Sequence, residues 1–171
     1  ALLGNADIIY SVNLTEDVLE QNFFKPGESN KLEDLSDLGM ELPCSYDAYC
    51  QKYCERLSQE TRAAYRMIDT SDKLLKRFEN GENQVVIEYR EKGSDDNYYW
   101  IQKTVLMSEN RIYDVVSDSE VDAVHGIVLL RNVTELHAQE QKEMEDLRVA
   151  YEEAEAANQA KTAFLSRMSH D

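Results

Sequence analysis

The 171-residue sequence predicts an α+β domain: an antiparallel five-stranded sheet with helices on one face, followed by a long C-terminal helix. Three observations carry this. Two runs rich in β-branched and aromatic residues open the first 133 residues, and from Gln84 apolar residues alternate with period two. Between them the period is helical. After Val133 the pattern turns helical and stays so to Asp171.

Elements follow in chain order. "DIIYSVNL" (7–14) and "VLEQNFF" (18–24), joined by the polar "TED", read as a β-hairpin. Residues 25–45 hold both prolines and two of the six glycines, and read as a loop with one helical turn at most. Helices then run from about Tyr46 to Phe78, with Tyr46, Tyr49, Cys50, Tyr53, Cys54 and Leu57 on one stripe. Thr70 or Ser71 suits an N-cap, Asp72 a first turn and Gly81 a stop. Three strands follow: "QVVIEYR" (84–90), "YYWIQKTVLMS" (98–108) and, after a polar loop over 109–123, "HGIVLLRNV" (125–133).

The length suits one domain plus an extension, here 1–133 and 134–171. With 34 acids against 18 bases the formal charge is -16, which sets nucleic-acid binding aside and disfavours anionic membrane surfaces. No apolar run approaches the ~20 residues that cross a bilayer. The start at Ala1, without Met, is read as that of a fragment, whose parent can carry membrane segments upstream. Cys44, Cys50 and Cys54 do not form a disulfide framework and fit a reducing, cytoplasmic setting. They lack the four-ligand spacing of a structural zinc site, so no metal is expected and small buried thiols are the plainer reading. Tyr10, Tyr46, Tyr49, Tyr53, Tyr65, Tyr89, Tyr98 and Tyr99 are read mainly as core and strand-face residues, with lining of a small-ligand pocket left open.

A helix over the last 37 residues or so would reach roughly 55 Å and needs a buried face. Met144, Leu147, Tyr151, Ala154, Asn158, Lys161, Leu165 and Met168 are spaced 3 and 4 alternately, a coiled-coil seam. Extended backward, the seam meets Glu140, His137 and Val133. Asn158 at an a position can fix register. Between 135 and 160 the helix carries eight acids and two bases. In this register His170 takes position f, facing away from the seam, so burial does not account for it.

The closing "FLSRMSHD" resembles the phosphoacceptor box of bacterial sensor histidine kinases, hybrid kinases included. There Phe164, Leu165 and Met168 would be core, His170 the phosphorylated residue and Asp171 the adjacent acid. The preceding 133 residues resemble a PAS sensor domain, with "GENQVVIEYR", "YYWIQKTV" and "GIVLLRNVTE" as its last three strands. Asn132, Val133 and Thr134 would stand at its junction with the signalling helix, Asn replacing the family's usual Asp and Thr134 capping the helix. The flavin-binding Asn-Cys-Arg-Phe-Leu type of motif is absent, and neither His125 nor His137 falls where a PAS domain presents a haem ligand. The resemblance implies attack of a neutral His170 imidazole on the γ-phosphate of ATP with Mg, then transfer to a response regulator receiver domain. It implies a homodimer and an ATP-binding domain in the parent kinase, since no Gly-rich nucleotide loop is present here. The alternative is a PAS dimerisation or ligand-binding module without phosphorylation, of the kind that precedes diguanylate cyclases and transcription factors.

Overall fold

The structure is a computed structural model and describes residues 6–24, 35 and 38–170. Two compact units divide the chain, Ala1–Val133 and Thr134–Asp171.

The first unit is an α+β fold of PAS type. Strands β1 (Ile8–Asn13) and β2 (Val18–Phe24) form a hairpin whose turn holds Asp17 at φ 56, a conformation Asp tolerates better than most residues. A two-residue strand, β3 (Cys44–Ser45), pairs with Leu19 and Val18. Helices α1 (Tyr46–Cys54), α2 (Gln59–Tyr65) and α3 (Ser71–Glu79) follow, then β4 (Gln84–Lys92), β5 (Tyr98–Asp114) and β6 (Ser119–Asn132). All neighbours are antiparallel, in the order β3-β2-β1-β6-β5-β4. The first hairpin thus docks on the last strand, which brings the two ends of the unit together at the centre of the sheet.

Helix ends follow local chemistry. Ser45 caps α1 by accepting from the Ala48 amide. Thr70 caps α3 through the Lys73 amide, and Ser71 is the first helical residue. At the far end Gly81, at φ 89, reverses the chain, with its amide on Phe78 O and that of Glu82 on Arg77 O. This paired capping leaves the positive φ to the one residue type without a Cβ penalty.

Two expectations about the sheet need correction. The sheet has six strands, because Cys44–Ser45 pairs with the hairpin through backbone groups that no side-chain pattern announces. The segment 109–123 is no loop: β5 and β6 stay paired from Glu109↔Val124 to Asp114↔Ser119, and only 115–118 turn. Most residues of this ribbon are exposed, so alternation of apolar and polar residues is faint there. The loop reading of residues 25–45 falls largely on 25–34, 36 and 37, outside the described residues.

One sheet face and α1–α3 enclose the core. Ile8, Tyr10, Val12, Val85, Tyr89, Ile101, Val105, Val128 and Leu130 come from the sheet, and Tyr46, Tyr49, Cys50, Tyr53, Tyr65, Ile68 and Leu74 from the helical layer. Fully burying one such large side chain is worth about 1.5–3 kcal/mol.

The second unit is α4 (Thr134–His170), 37 residues with none buried. It begins at Thr134 itself. The expected cap is thus the first helical residue, and Val133, which lacks a capping oxygen, takes the position before it.

Candidate functional site

Two places carry chemistry: the interior of the first unit and the outer surface of α4.

Six tyrosines fill the interior. Tyr46, Tyr49 and Tyr53 recur on one face of α1, while Tyr65 ends α2 and Tyr10 and Tyr89 rise from the sheet. Their ring centroids lie 5.2–6.3 Å apart along the series Tyr46–Tyr49–Tyr53–Tyr65–Tyr89, with Tyr10 against Tyr49 at 5.3 Å. Tilted and edge contacts of this kind add to plain burial. Tyr98 is exposed and Tyr99 half-buried, so these two of the eight stand apart from the cluster.

Sequence reasoning passed over two charged side chains in this core. Glu91, fully buried, accepts a hydrogen bond from the Tyr53 hydroxyl at 2.6 Å, and Tyr53 in turn accepts one from Tyr89 at 3.2 Å. Lys103, 1% exposed, sits in mid-β5 between Ile101 and Val105 on the core side. Its Nζ lies 3.5 Å from the Tyr65 hydroxyl and 3.9 Å from Cys50 Sγ. The rings of Tyr65 and Tyr46 flank it, with centroids at 4.7 and 5.1 Å. A signal was available: Ile101, Lys103, Val105 and Met107 keep period two, so a lysine stands where the alternation requires a core residue.

Burial dominates the electrostatics here. It lowers the Lys103 ammonium below its ordinary 10.5, although the Cys50 thiol and Asp69 pull the other way. It raises the Cys50 thiol above 9.0, against the pull of Lys103 and the hydroxyls of Tyr65 and Tyr46. Burial also pushes Tyr46, Tyr49, Tyr53, Tyr65 and Tyr89 well above 10.0. Burial thus works in one direction throughout this interior, disfavouring the charged forms of amine, thiol and phenols alike.

A second polar cluster joins the hairpin turn to the helical layer. The Asp17 carboxylate accepts from Ser45 Oγ, from Ser71 Oγ at 2.6 Å and from the Asp47 amide at 3.0 Å, and Asp47 accepts from the Ser71 amide at 2.6 Å. For Asp17, burial raises the carboxyl, but the hydrogen bonds outweigh it and hold the group below 3.8. Asp47 goes above 3.8, through burial and then through neighbouring Asp17. Beside it an open groove of about 480 Å³ is lined by Asp47, Gln51, Cys54, Glu55, Arg62, Arg66, Asp69 and Thr70. All three thiols are free: Cys50 is buried, and Cys44 and Cys54 are half-buried. Among the described residues no three metal-ligating side chains cluster.

On α4, His170 is the last described residue and is exposed. Asp171 lies outside the described residues. The seam positions stay on one stripe and are exposed: Met144, Leu147, Tyr151, Leu165 and Met168 retain 53–72% of their surface, and Ala154, Asn158 and Lys161 are exposed as well. Phe164, at 56%, adds to the apolar surface before His170. Backward extension of the seam to Val133 fails. That side chain is 1% exposed in the first unit, where its amide donates to Trp100 O at 2.8 Å. Neighbouring Asn132 pairs with Ile101, and its amide donates to Asp7 at 2.7 Å. His125 Nε2 lies 4.0 Å from Glu20, and in the sheet His125 pairs with Asn13.

No family model matches the chain, and no curated protein sequence matches it. Among solved structures it is similar to a sensory box histidine kinase/response regulator from Burkholderia thailandensis E264. That chain is 17% identical, with 89% of this chain and 93% of the other covered at a TM-score of 0.40. It is also similar to the N-terminal domain of a diguanylate cyclase with PAS/PAC sensor from Marinobacter aquaeolei, 20% identical over 76% of this chain and 97% of the other, TM-score 0.39. Likeness of this grade transfers no chemistry. The PAS-type fold rests on the strand order and helical layer described above. No helix among the described residues is long and apolar enough to cross a membrane.

Proposed function

We propose that the chain is the sensor and signal-transmitting segment of a two-component histidine kinase. In this reading the PAS unit biases a homodimeric coiled coil formed by α4, and α4 presents His170 as the phosphoacceptor. The observation that carries it is the single helix that combines an apolar 3–4 stripe with an outward histidine. An isolated helix in water is marginal, and α4 buries no residue of its own. A second copy of the same stripe supplies the missing cover. In the parallel, in-register pairing Glu143 at g faces Arg148 at e of the other helix, an opposite-charge pair that favours this arrangement.

The chemistry follows from exposure. An f-position imidazole stays accessible to an ATP-binding domain while the seam is closed. Its neutral form attacks the γ-phosphorus, the P–O bond to ADP breaks, ADP leaves, the ring gives up its proton, and the phosphoryl group then passes to an aspartate of a receiver domain. Mg²⁺ bound with ATP in the parent kinase's catalytic domain would supply neutralisation of the charge on the phosphoryl oxygens. Asp171 acts beside His170 as the orienting acid. The PAS unit, with or without a small ligand, acts from the cytoplasmic side, where ATP is.

The deciding test is phosphorylation of the chain joined to the parent's catalytic domain, with labelled ATP. Acid-labile, alkali-stable label on His170, lost in His170→Gln and retained in His137→Gln, supports the reading. Full ATP turnover without label on His170 overturns it, and leaves a PAS dimerisation module without phosphorylation.

A further inference from the structure

Lys103 and Cys50 form an unusual pair for a protein core. Both are buried, their Nζ and Sγ are 3.9 Å apart, and tyrosine rings wall the amine on two sides. Among the described residues no carboxylate lies within ion-pair distance of Nζ; its polar neighbours are this thiol and the Tyr65 hydroxyl. Asp69 acts on the amine only from beyond ion-pair distance, and burial without an anion in contact favours the neutral form. A neutral amine has a free electron pair, and the nearest atom able to become an electrophile is Cys50 sulfur.

We propose that Cys50 and Lys103 are an oxidation site, at which a peroxide joins Sγ to Nζ in a reversible sulfenamide. The inference concerns the first unit alone and does not rest on the role of His170. In the first step the Lys103 nitrogen takes the thiol proton, the Cys50 thiolate attacks one peroxide oxygen, and the nitrogen then gives that proton to the departing hydroxide. The O–O bond breaks, S–OH forms, and the thiol proton leaves in a molecule of water. Sulfur loses two electrons and the peroxide gains them. In the second step the Lys103 nitrogen attacks sulfur. The S–N bond forms, the S–OH bond breaks, and hydroxide takes one amine proton away as water. One peroxide is consumed, two waters are released, and the protein loses two hydrogens. Sulfenic acids condense with a thiol to a disulfide or with a backbone nitrogen to a sulfenamide, and here the Lys103 amine takes the place of that nitrogen.

Geometry favours the amine over the other thiols. Cys54 lies one helical turn on and lines the surface groove, and Cys44 lies in β3 at the sheet edge. Peroxide is scarcely larger than water, so local opening admits it. Closing the bond ties α1 to the middle of β5 and constrains the unfolded chain, as any crosslink between distant residues does.

The test treats the whole chain with hydrogen peroxide and follows intact mass, then a non-reducing peptide map. The expected product has lost two hydrogens, links the Cys50 peptide to the Lys103 peptide, melts at a higher temperature and reverts with dithiothreitol. Lys103→Arg and Lys103→Met each abolish the linked peptide, with native circular dichroism checked for both. Should either variant fail to fold, the Cys44→Ser/Cys54→Ser double variant carries the test. With a single thiol left, a two-hydrogen loss mapped to Lys103 has no disulfide origin. Oxidation confined to Cys44 and Cys54, a Cys50–Cys54 disulfide, or Cys50 sulfinic acid with unmodified Lys103 overturns the proposal.

Discussion

Replacing Lys103 by methionine is expected to stabilise the first unit at neutral pH. The side chains are of similar length, and a thioether packs well against aromatic rings. What changes is the amine. In the native core its two polar contacts are long, 3.5 Å to Tyr65 and 3.9 Å to Cys50. A buried polar group so poorly compensated costs about 1–3 kcal/mol. Two cation–π contacts offset this only if the group is charged, at about 2 kcal/mol each when desolvated. Ionisation then brings a desolvation penalty of several kcal/mol for the ion, which cancels them. Lys103→Met should therefore gain about 1–3 kcal/mol, a rise of about 3 °C per kcal/mol in melting temperature for a unit of this size. The assay is urea unfolding followed by the fluorescence of Trp100, the sole tryptophan, which reports this unit alone. The pH dependence is a second check. The folded pKa of Lys103 lies below 10.5, so between the two values the unfolded chain holds more protons and wild-type stability rises with pH relative to the variant. The gap should narrow as pH approaches 10.5. A variant less stable than wild type by more than about 1 kcal/mol, or a gap indifferent to pH, would refute the reasoning: the amine would then be holding the tyrosine rings together.

Alkali should unfold the first unit cooperatively. Five buried phenols have folded pKa values well above 10.0, so stability present below pH 10 is lost as pH rises past it, and tyrosinate absorbance should appear in one step with unfolding. Gradual tyrosinate formation in a folded protein would contradict this. Tyr53→Phe removes the 2.6 Å donor to buried Glu91 and should cost about 3 kcal/mol in urea unfolding; a loss below about 0.5 would mean that the pair is not buried in solution. Asp17→Asn keeps a residue that tolerates φ 56 but removes the charge from three hydrogen bonds, at an expected cost of about 2 kcal/mol. Its acid profile should flatten. Asp17 contributes stability above pH 3.8 that is lost as pH falls through its lower folded value, whereas Asp47, shifted upward, works in the opposite sense above 3.8. Leu147→Lys with Leu165→Lys places charge on the α4 stripe and should convert a dimer to monomer in sedimentation; unchanged mass would remove the seam as the dimer contact.

Legibility in the sequence followed burial. Where one face of an element is covered, period reveals it: the tyrosine stripe of α1 was readable from helical spacing and the last three strands from alternation, while the β1–β2 hairpin was readable from β-branched and aromatic content around a polar turn. Where nothing is covered, period loses its meaning. Glu109–Asp114 and Ser119–Val124 pair along their length, yet their sequence reads as a polar loop because water touches most of their residues. Strand β3 was illegible for a different reason: two residues are too few to show a period, and its bonds to Val18 and Leu19 belong to the backbone. On α4 the stripe could be read because spacing alone defines it, and the same spacing put His170 outside it.

At Lys103 residue type and residue position disagree. Sorting residues by type sends lysine to the surface, since charged side chains are almost never fully buried without a partner. Sorting by position sends residue 103 to the core, between Ile101 and Val105. The conflict between the two was present in the sequence, and position won because one residue out of phase would have turned the whole strand over. The strand keeps its register by accepting one amine beneath the tyrosines. Its two polar contacts, at 3.5 and 3.9 Å, are long ones for a buried amine, and packing alone does not call for a nitrogen at this position. That nitrogen faces Cys50.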